Sequence, residues 1–131
     1  MQLEIACLKT MVTKLCFNIC DLEDSWLTIA EVKDLPSQIQ ESISDSLQYS
    51  CLHWSDHLCF HPGNRDQQVL ASVLGGLKLF FEGLYPLFWV EVLGIMGMVQ
   101  VGARAPRRLI SWVRVSMSPT CCQFALQVDL N

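Results

Sequence analysis

The chain has 131 residues, 51% of them hydrophobic and only 17% charged, with a formal net charge of -4. That length fits one domain or part of one, and the apolar content is rich for a free-standing soluble domain, so some of that surface is expected to meet a partner or a further part of a larger chain. Residues 1 to 66 hold ten acids against four bases and residues 67 to 131 hold three against five, which excludes the basic footprint of a nucleic-acid binder.

In chain order, Leu8, Met11, Val12, Leu15 and Ile19 recur at helical spacing, and the segment around residues 16 to 20 also suits a short extended piece. The acidic run Asp21 to Asp24 marks a turn. A second helix is expected from Pro36 to about His61. Pro36 suits its first turn, and Ser37 with Gln40 has the spacing of a capping box. Along it Ile39, Ile43, Leu47, Cys51, Trp54 and Leu58 recur every three or four residues and define a core face. Pro62, Gly63 and Asn64 then form a loop. A third helix is expected from about Gln68 to Glu82, ended by Gly83, and a fourth from Pro86 to Met96, the two forming a helical hairpin. Gly97 and Gly102 interrupt the pattern, and a last helix runs from Pro106 to about Val115. The reading is all-α: an irregular helical bundle over residues 1–115, with residues 116–131 an unassigned tail.

Seven cysteines, Cys7, Cys16, Cys20, Cys51, Cys59, Cys121 and Cys122, form no C-x-x-C pair and are odd in number. The N-terminus lacks the basic and long apolar regions of a secretory signal. A reducing, cytoplasmic setting with cysteines serving as small apolar residues is the expectation. The segment Leu84 to Ala103 is long enough to span a bilayer. Glu91 near its centre, together with Pro86, Gly94, Gly97 and Gly102, favours a helix packed against protein instead.

Chemical motifs are sparse. His53 and His57 are four apart and share a helical face, with His61 a turn further, but Cys59 lies about 120° or more round the helix from them. Structural histidines are the better reading, and no metal ligand set is assigned. No thiol shows a local sign of activation. Glu23 and Asp24 read as a solvated turn, and Arg104, Arg107, Arg108 and Arg114 as the solvent side of the last helix or as partners of acids. Phosphate-loop, dinucleotide-binding and H-E-x-x-H patterns do not occur. Neither a catalytic residue nor a cofactor is assigned.

Three motifs carry a resemblance: LCFNICDLEDSWL from Leu15 to Leu27, LQYSCLHWSDHL from Leu47 to Leu58, and FFEGLYPLFWVEVLGIMG from Phe80 to Gly97. In this order and spacing they resemble the helical region that follows the ATPase core in large fungal NACHT-type STAND proteins, which are NOD-like-receptor-like. The likeness covers about residues 5 to 115. His53 stands where that family commonly has an aromatic residue, and Pro106 stands where a helix-compatible residue is usual. The family's Walker motifs and sensor repeats are not in this sequence, so the chain looks like a segment of a longer one.

What the resemblance implies is a non-enzymatic, all-helical arm in a signal-transduction ATPase. Its partners would be the NACHT core and the sensor repeats of a fuller-length chain, and it would couple nucleotide state to sensing through packing. Trp54, Leu58, Phe88, Trp89 and Trp112 are the expected packing or interaction residues. A small membrane-associated helical protein is the competing expectation.

Overall fold

A computed structural model of the protein describes residues 3–22, 31–60 and 67–116. These form six helices, with no strand among the described residues: α1 (Leu3–Lys14), α2 (Leu35–Ser42), α3 (Asp45–Phe60), α4 (Gln67–Glu82), α5 (Tyr85–Ile95) and α6 (Val99–Ser116). The all-helical bundle expected from the sequence is what the chain forms. The expected loop at Pro62 to Asn64, residues Glu23 and Asp24, His61 and the tail beyond residue 116 lie outside the described residues.

The core is built around α1 and α3. Helix α1 packs on α3 and α4, α6 lies against α3, and α5 closes the assembly by touching α6, α3 and α4. Each helix turns one stripe inward, as its spacing dictates. Cys7, Leu8 and Met11 come from α1, Leu47, Cys51, Trp54 and Leu58 from α3, and Val73, Leu77 and Phe80 from α4, all buried. Glu4 is also buried, on the same side of α1.

Residues 17–20 form turns, not the extended piece that their apolar character allowed. Asn18 takes a left-handed conformation with φ of 49°, which asparagine tolerates better than most residues because its short amide bonds to nearby backbone. Its Oδ1 accepts from the Leu22 N–H at 3.1 Å, and its Nδ2 donates to the Leu22 carbonyl at 3.2 Å. The Asn18 backbone N–H donates to Glu91 Oε2 on α5 at 3.2 Å. Glu91, the one charged residue of α5, therefore anchors the turn that follows α1.

The single helix expected from Pro36 to His61 is two helices. Ile43 is extended, with φ of -117° and ψ of 101°, and caps α2 through its N–H to the Ile39 carbonyl. Ser44 then opens α3: its Oγ accepts from the Leu47 N–H at 3.3 Å, the usual role of an N-cap serine. Lys14, at the end of α1, donates to Ser44 Oγ at 3.1 Å and Ser46 Oγ at 3.0 Å and holds this joint in place. The expected capping box at Ser37 and Gln40 is not the start of α2. The helix begins at Leu35 after Asp34, which is left-handed and makes no side-chain cap, and Pro36 sits in the first turn, where a missing N–H costs nothing.

Helices α4 and α5 have the expected bounds to within a residue, but their axes turn through 81° at the intervening break. They make a corner, more open than an antiparallel hairpin. Helix α5 ends in a Schellman motif: Gly97 is left-handed with φ of 70°, its N–H bonds to the Gly94 carbonyl at 3.1 Å, and the Met98 N–H bonds to the Leu93 carbonyl at 2.8 Å.

The other expected interruption, at Gly102, is absent, and α6 starts seven residues before Pro106 and runs through it. Proline removes the bond that would reach the Gly102 carbonyl. Packing on α5 outweighs that loss. A Cβ on Gly102 would stand only 3.1 Å from Leu93 Cδ1 and 3.8 Å from the Trp89 ring, so the missing side chain is what lets α6 lie close to α5.

Candidate functional site

Four of the five aromatic and aliphatic residues singled out by the sequence are internal. Trp54, Leu58, Trp89 and Trp112 are buried, and Phe88 is partly buried. The structure brings Trp54 and Trp89 together edge to face at a centroid separation of 5.7 Å. Phe80 completes the junction, 5.7 Å from Trp54 and 6.3 Å from Trp89. Such arrangements place ring edges over ring faces and add to the burial energy of each ring. The Trp89 indole N–H donates to the Cys51 carbonyl at 2.9 Å, a helix carbonyl that accepts this second bond inside the core. The buried indole N–H groups of Trp54 and Trp112 have no acceptor among the described residues. Phe88 is packed against the core and lies edge to face with Tyr85 at 6.2 Å. Trp54 and Trp89, with Phe80, thus supply internal packing where α3, α4 and α5 meet, and Trp112 is buried on α6.

The cysteines of the core behave as small apolar residues. Cys7, Cys20 and Cys51 are buried and unpaired. Burial pushes the Cys51 thiol up to about 12, with the neighbouring Cys7 adding to the rise. Burial also raises Cys7, against a hydrogen bond to Ser50. Cys20 is raised by burial and by the Glu91 carboxylate, against a hydrogen bond to Ser42. A thiol held protonated in this way is a poor nucleophile.

The outer side of α3 carries a polar network that the sequence showed only as scattered residues. Tyr49 Oη and His57 Nε2 are hydrogen-bonded at 2.7 Å. His53 Nδ1 bonds to Asp56 Oδ2 at 3.1 Å, and Asp56 also pairs with Arg108 of α6. Partial burial, with the His53 ring beside it, lowers the His57 pKa below the ordinary imidazole value. Its neutral ring is then suited to share a proton with the Tyr49 hydroxyl. Of these contacts the Asp56–Arg108 pair links α6 to α3. No cluster of three or more histidine, cysteine or acidic side chains suited to a metal occurs among the described residues.

Helix α5 contrasts with α3 in having no polar outer side. Its sequence YPLFWVEVLGI is apolar all round apart from Glu91, and a helix of that kind is normally covered on every side. Here one side is open. Leu87 is 66% exposed and Val90 53%, and at the corner with α4 Leu84, Leu79 and Phe81 are exposed as well. Individually exposed leucines are ordinary, but Leu84, Leu87 and Val90 follow one another every three residues along one side of α5, an apolar line of the kind that suits a contact. The uniform apolarity of residues 85–95 was the available signal for it; side-chain size drew attention to Trp89 and Phe88 instead.

No protein-family model, curated protein or solved structure matches the chain.

Proposed function

We propose that the chain is a non-catalytic helical regulatory or interaction segment of a NACHT-type STAND signal-transduction ATPase, working in the cytoplasm and coupling the nucleotide state of the core to the sensor repeats. The observation that carries the reading is the open side of α5, an apolar helix whose Leu87 and Val90 lie bare on an otherwise folded body. The three motifs that resemble the post-NACHT region include this helix in full. In such an arm the coupling comes from contacts that differ between two states of the core, so that each state favours a different seating of the arm.

The test is titration of the protein with a NACHT ATPase core loaded with ADP or with a non-hydrolysable ATP analogue. Affinities differing by about tenfold between the two states are expected, equivalent to about 1.4 kcal/mol of coupling. Leu87→Glu with Val90→Glu is expected to abolish binding and leave the fold intact. Equal binding in both states, or none, removes the reading. Sequencing of the transcript upstream of Met1 is an independent check, with an in-frame G-x-x-x-x-G-K-[ST] motif as the expected result.

One observation favours a small membrane-associated protein as the second reading. No single helix among the described residues is long and apolar enough to cross a membrane, but α4 and α5 together reach the length and composition of a bent span. The single span considered from Leu84 to Ala103 is divided by the turn at Gly97, and Glu91 bonds within the protein. Resistance to carbonate extraction would support the membrane reading, and release by carbonate the interaction segment.

A further inference from the structure

Helix α6 has three sides, not two. At about 100° per residue, Val101, Ala105, Leu109 and Trp112 fall on one side, which is packed on the body of the protein. A second apolar line faces outward: Val99, Ala103, Pro106, Ile110 and Val113 follow one another at intervals of four, three, four and three. All five are exposed, Ile110 to 52%. This alternation is the spacing of the contact seam between two helices. An ordinary surface helix has polar residues there.

The third side is basic. Arg104, Arg107 and Arg114 are exposed along one flank of the seam, and α6 contains no acidic residue. Arg108 is turned toward α3, where it pairs with Asp56. The other three make no ion pair with any described residue. We infer that the outward seam of α6 docks a separate α-helix of a protein partner, one that presents an apolar stripe at heptad spacing bordered by glutamate or aspartate.

Charge decides between the possible occupants. Antiparallel pairing of α6 with the same helix of a second copy would set arginines against arginines, and parallel pairing would set them against the flank of Gly102 and Leu109, so in neither orientation does a carboxylate of α6 meet them. A partner helix bordered by carboxylates instead meets the basic flank along its length. A lipid surface suits the seam poorly: helices that lie in the interface carry Trp, Phe or Leu on the buried side, whereas this seam holds valine, alanine, proline and isoleucine. Small and β-branched side chains allow the close approach of another helix.

This inference rests on the reading of the chain as an interaction segment but concerns a different face from α5. The two therefore fail separately: the Leu87 and Val90 substitutions address binding to the ATPase core, and substitutions on α6 address the acidic helix.

The test uses the full chain and labelled synthetic helices about three heptads long, with leucine along the seam and glutamate, glutamine or lysine along its borders. Fluorescence anisotropy at low salt should show the glutamate helix binding at least about tenfold more tightly than the glutamine helix, with the lysine helix weakest. Arg107→Glu with Arg114→Glu should reverse that order. Ile110→Asp should weaken binding of the glutamate helix by about tenfold or more, with far-ultraviolet circular dichroism and unfolding midpoint retained. Amide exchange should slow over residues 99–113 when the glutamate helix is bound. Equal affinity for all three helices, or protection confined to residues 84–90, overturns the inference. So does self-association that Ile110→Asp removes, which assigns the seam to a second copy, or binding to phosphatidylserine vesicles that the same substitution removes, which assigns it to a membrane.

Discussion

Helices α3 and α5 have nearly the same inner side and opposite outer ones. Both send a tryptophan into the same junction, Trp54 from α3 and Trp89 from α5, and both bury aliphatic residues beside it. Outside, α3 presents two hydrogen-bonded pairs, Tyr49 with His57 and His53 with Asp56, the latter joined to Arg108, whereas α5 presents Leu87 and Val90. The inner sides explain how the chain folds. The outer sides separate a helix finished against water from one still open to contact.

The largest test of that comparison is at the shared junction. Trp54→Ala and Trp89→Ala should each cost about 3 to 5 kcal/mol in urea unfolding, whereas Leu87→Ala, on the open side, should stay within about 0.5 kcal/mol of the parent. A large loss at Leu87 would show that the outer side of α5 belongs to the core after all.

A smaller effect is expected at the start of α3. Ser44→Ala removes the acceptor for the Leu47 N–H and should cost about 0.5 to 2 kcal/mol. Helix α5 starts at Tyr85 without a side-chain cap, so alanine at Leu84 should leave its stability nearly unchanged.

Two adjacent glycines of α4 sharpen the distinction between open and packed sides. A Cβ at Gly75 meets nothing within 4 Å, and one at Gly76 would come within 3.3 Å of Leu8 Cδ1. Gly75→Ala should therefore stabilise the protein by about 0.4 to 1 kcal/mol, and Gly76→Ala by less, since Leu8 has to shift. Thermal unfolding of the two variants measures the difference.

The smallest expected effect is the pH dependence of the α3 network. His57 has a lowered pKa in the folded chain, so the unfolded chain binds the proton more readily. The stability linked to this group is present above about pH 6.5 and falls as the pH drops through the folded value. His57→Gln should flatten that slope, and substitutions on α5 should leave it in place.

Much of this architecture is legible in the sequence because apolar spacing is local. The stripes of α1, α3 and α4, and the Gly97 stop after α5, follow from it directly. The break at Ile43 is concealed because Ile39, Ile43 and Leu47 keep a spacing of four across it, while the capping serine at Ser44 is one of several polar residues. Helix α6 is concealed for the opposite reason. Pro106 and Gly102 look like interruptions, yet close packing of α6 on Leu93 and Trp89 carries the helix through them. At the candidate site, Trp54 and Trp89 are recognisable as packing residues from their type. Their meeting with Phe80, and the bond from Trp89 to the Cys51 carbonyl, depend on how helices far apart in the chain cross.

The edge-to-face contact of Trp54 and Trp89 gives the molecule an optical signature of its own tertiary order. Two indoles held at a fixed angle in an asymmetric interior generate near-ultraviolet circular dichroism, and the signal averages away once the rings rotate freely. Loss of that band with the far-ultraviolet helix signal retained would identify a form in which the helices persist but their junction has loosened. The same band, followed as a partner is added, would report whether contact at the surface of α5 reaches the indole on its opposite side.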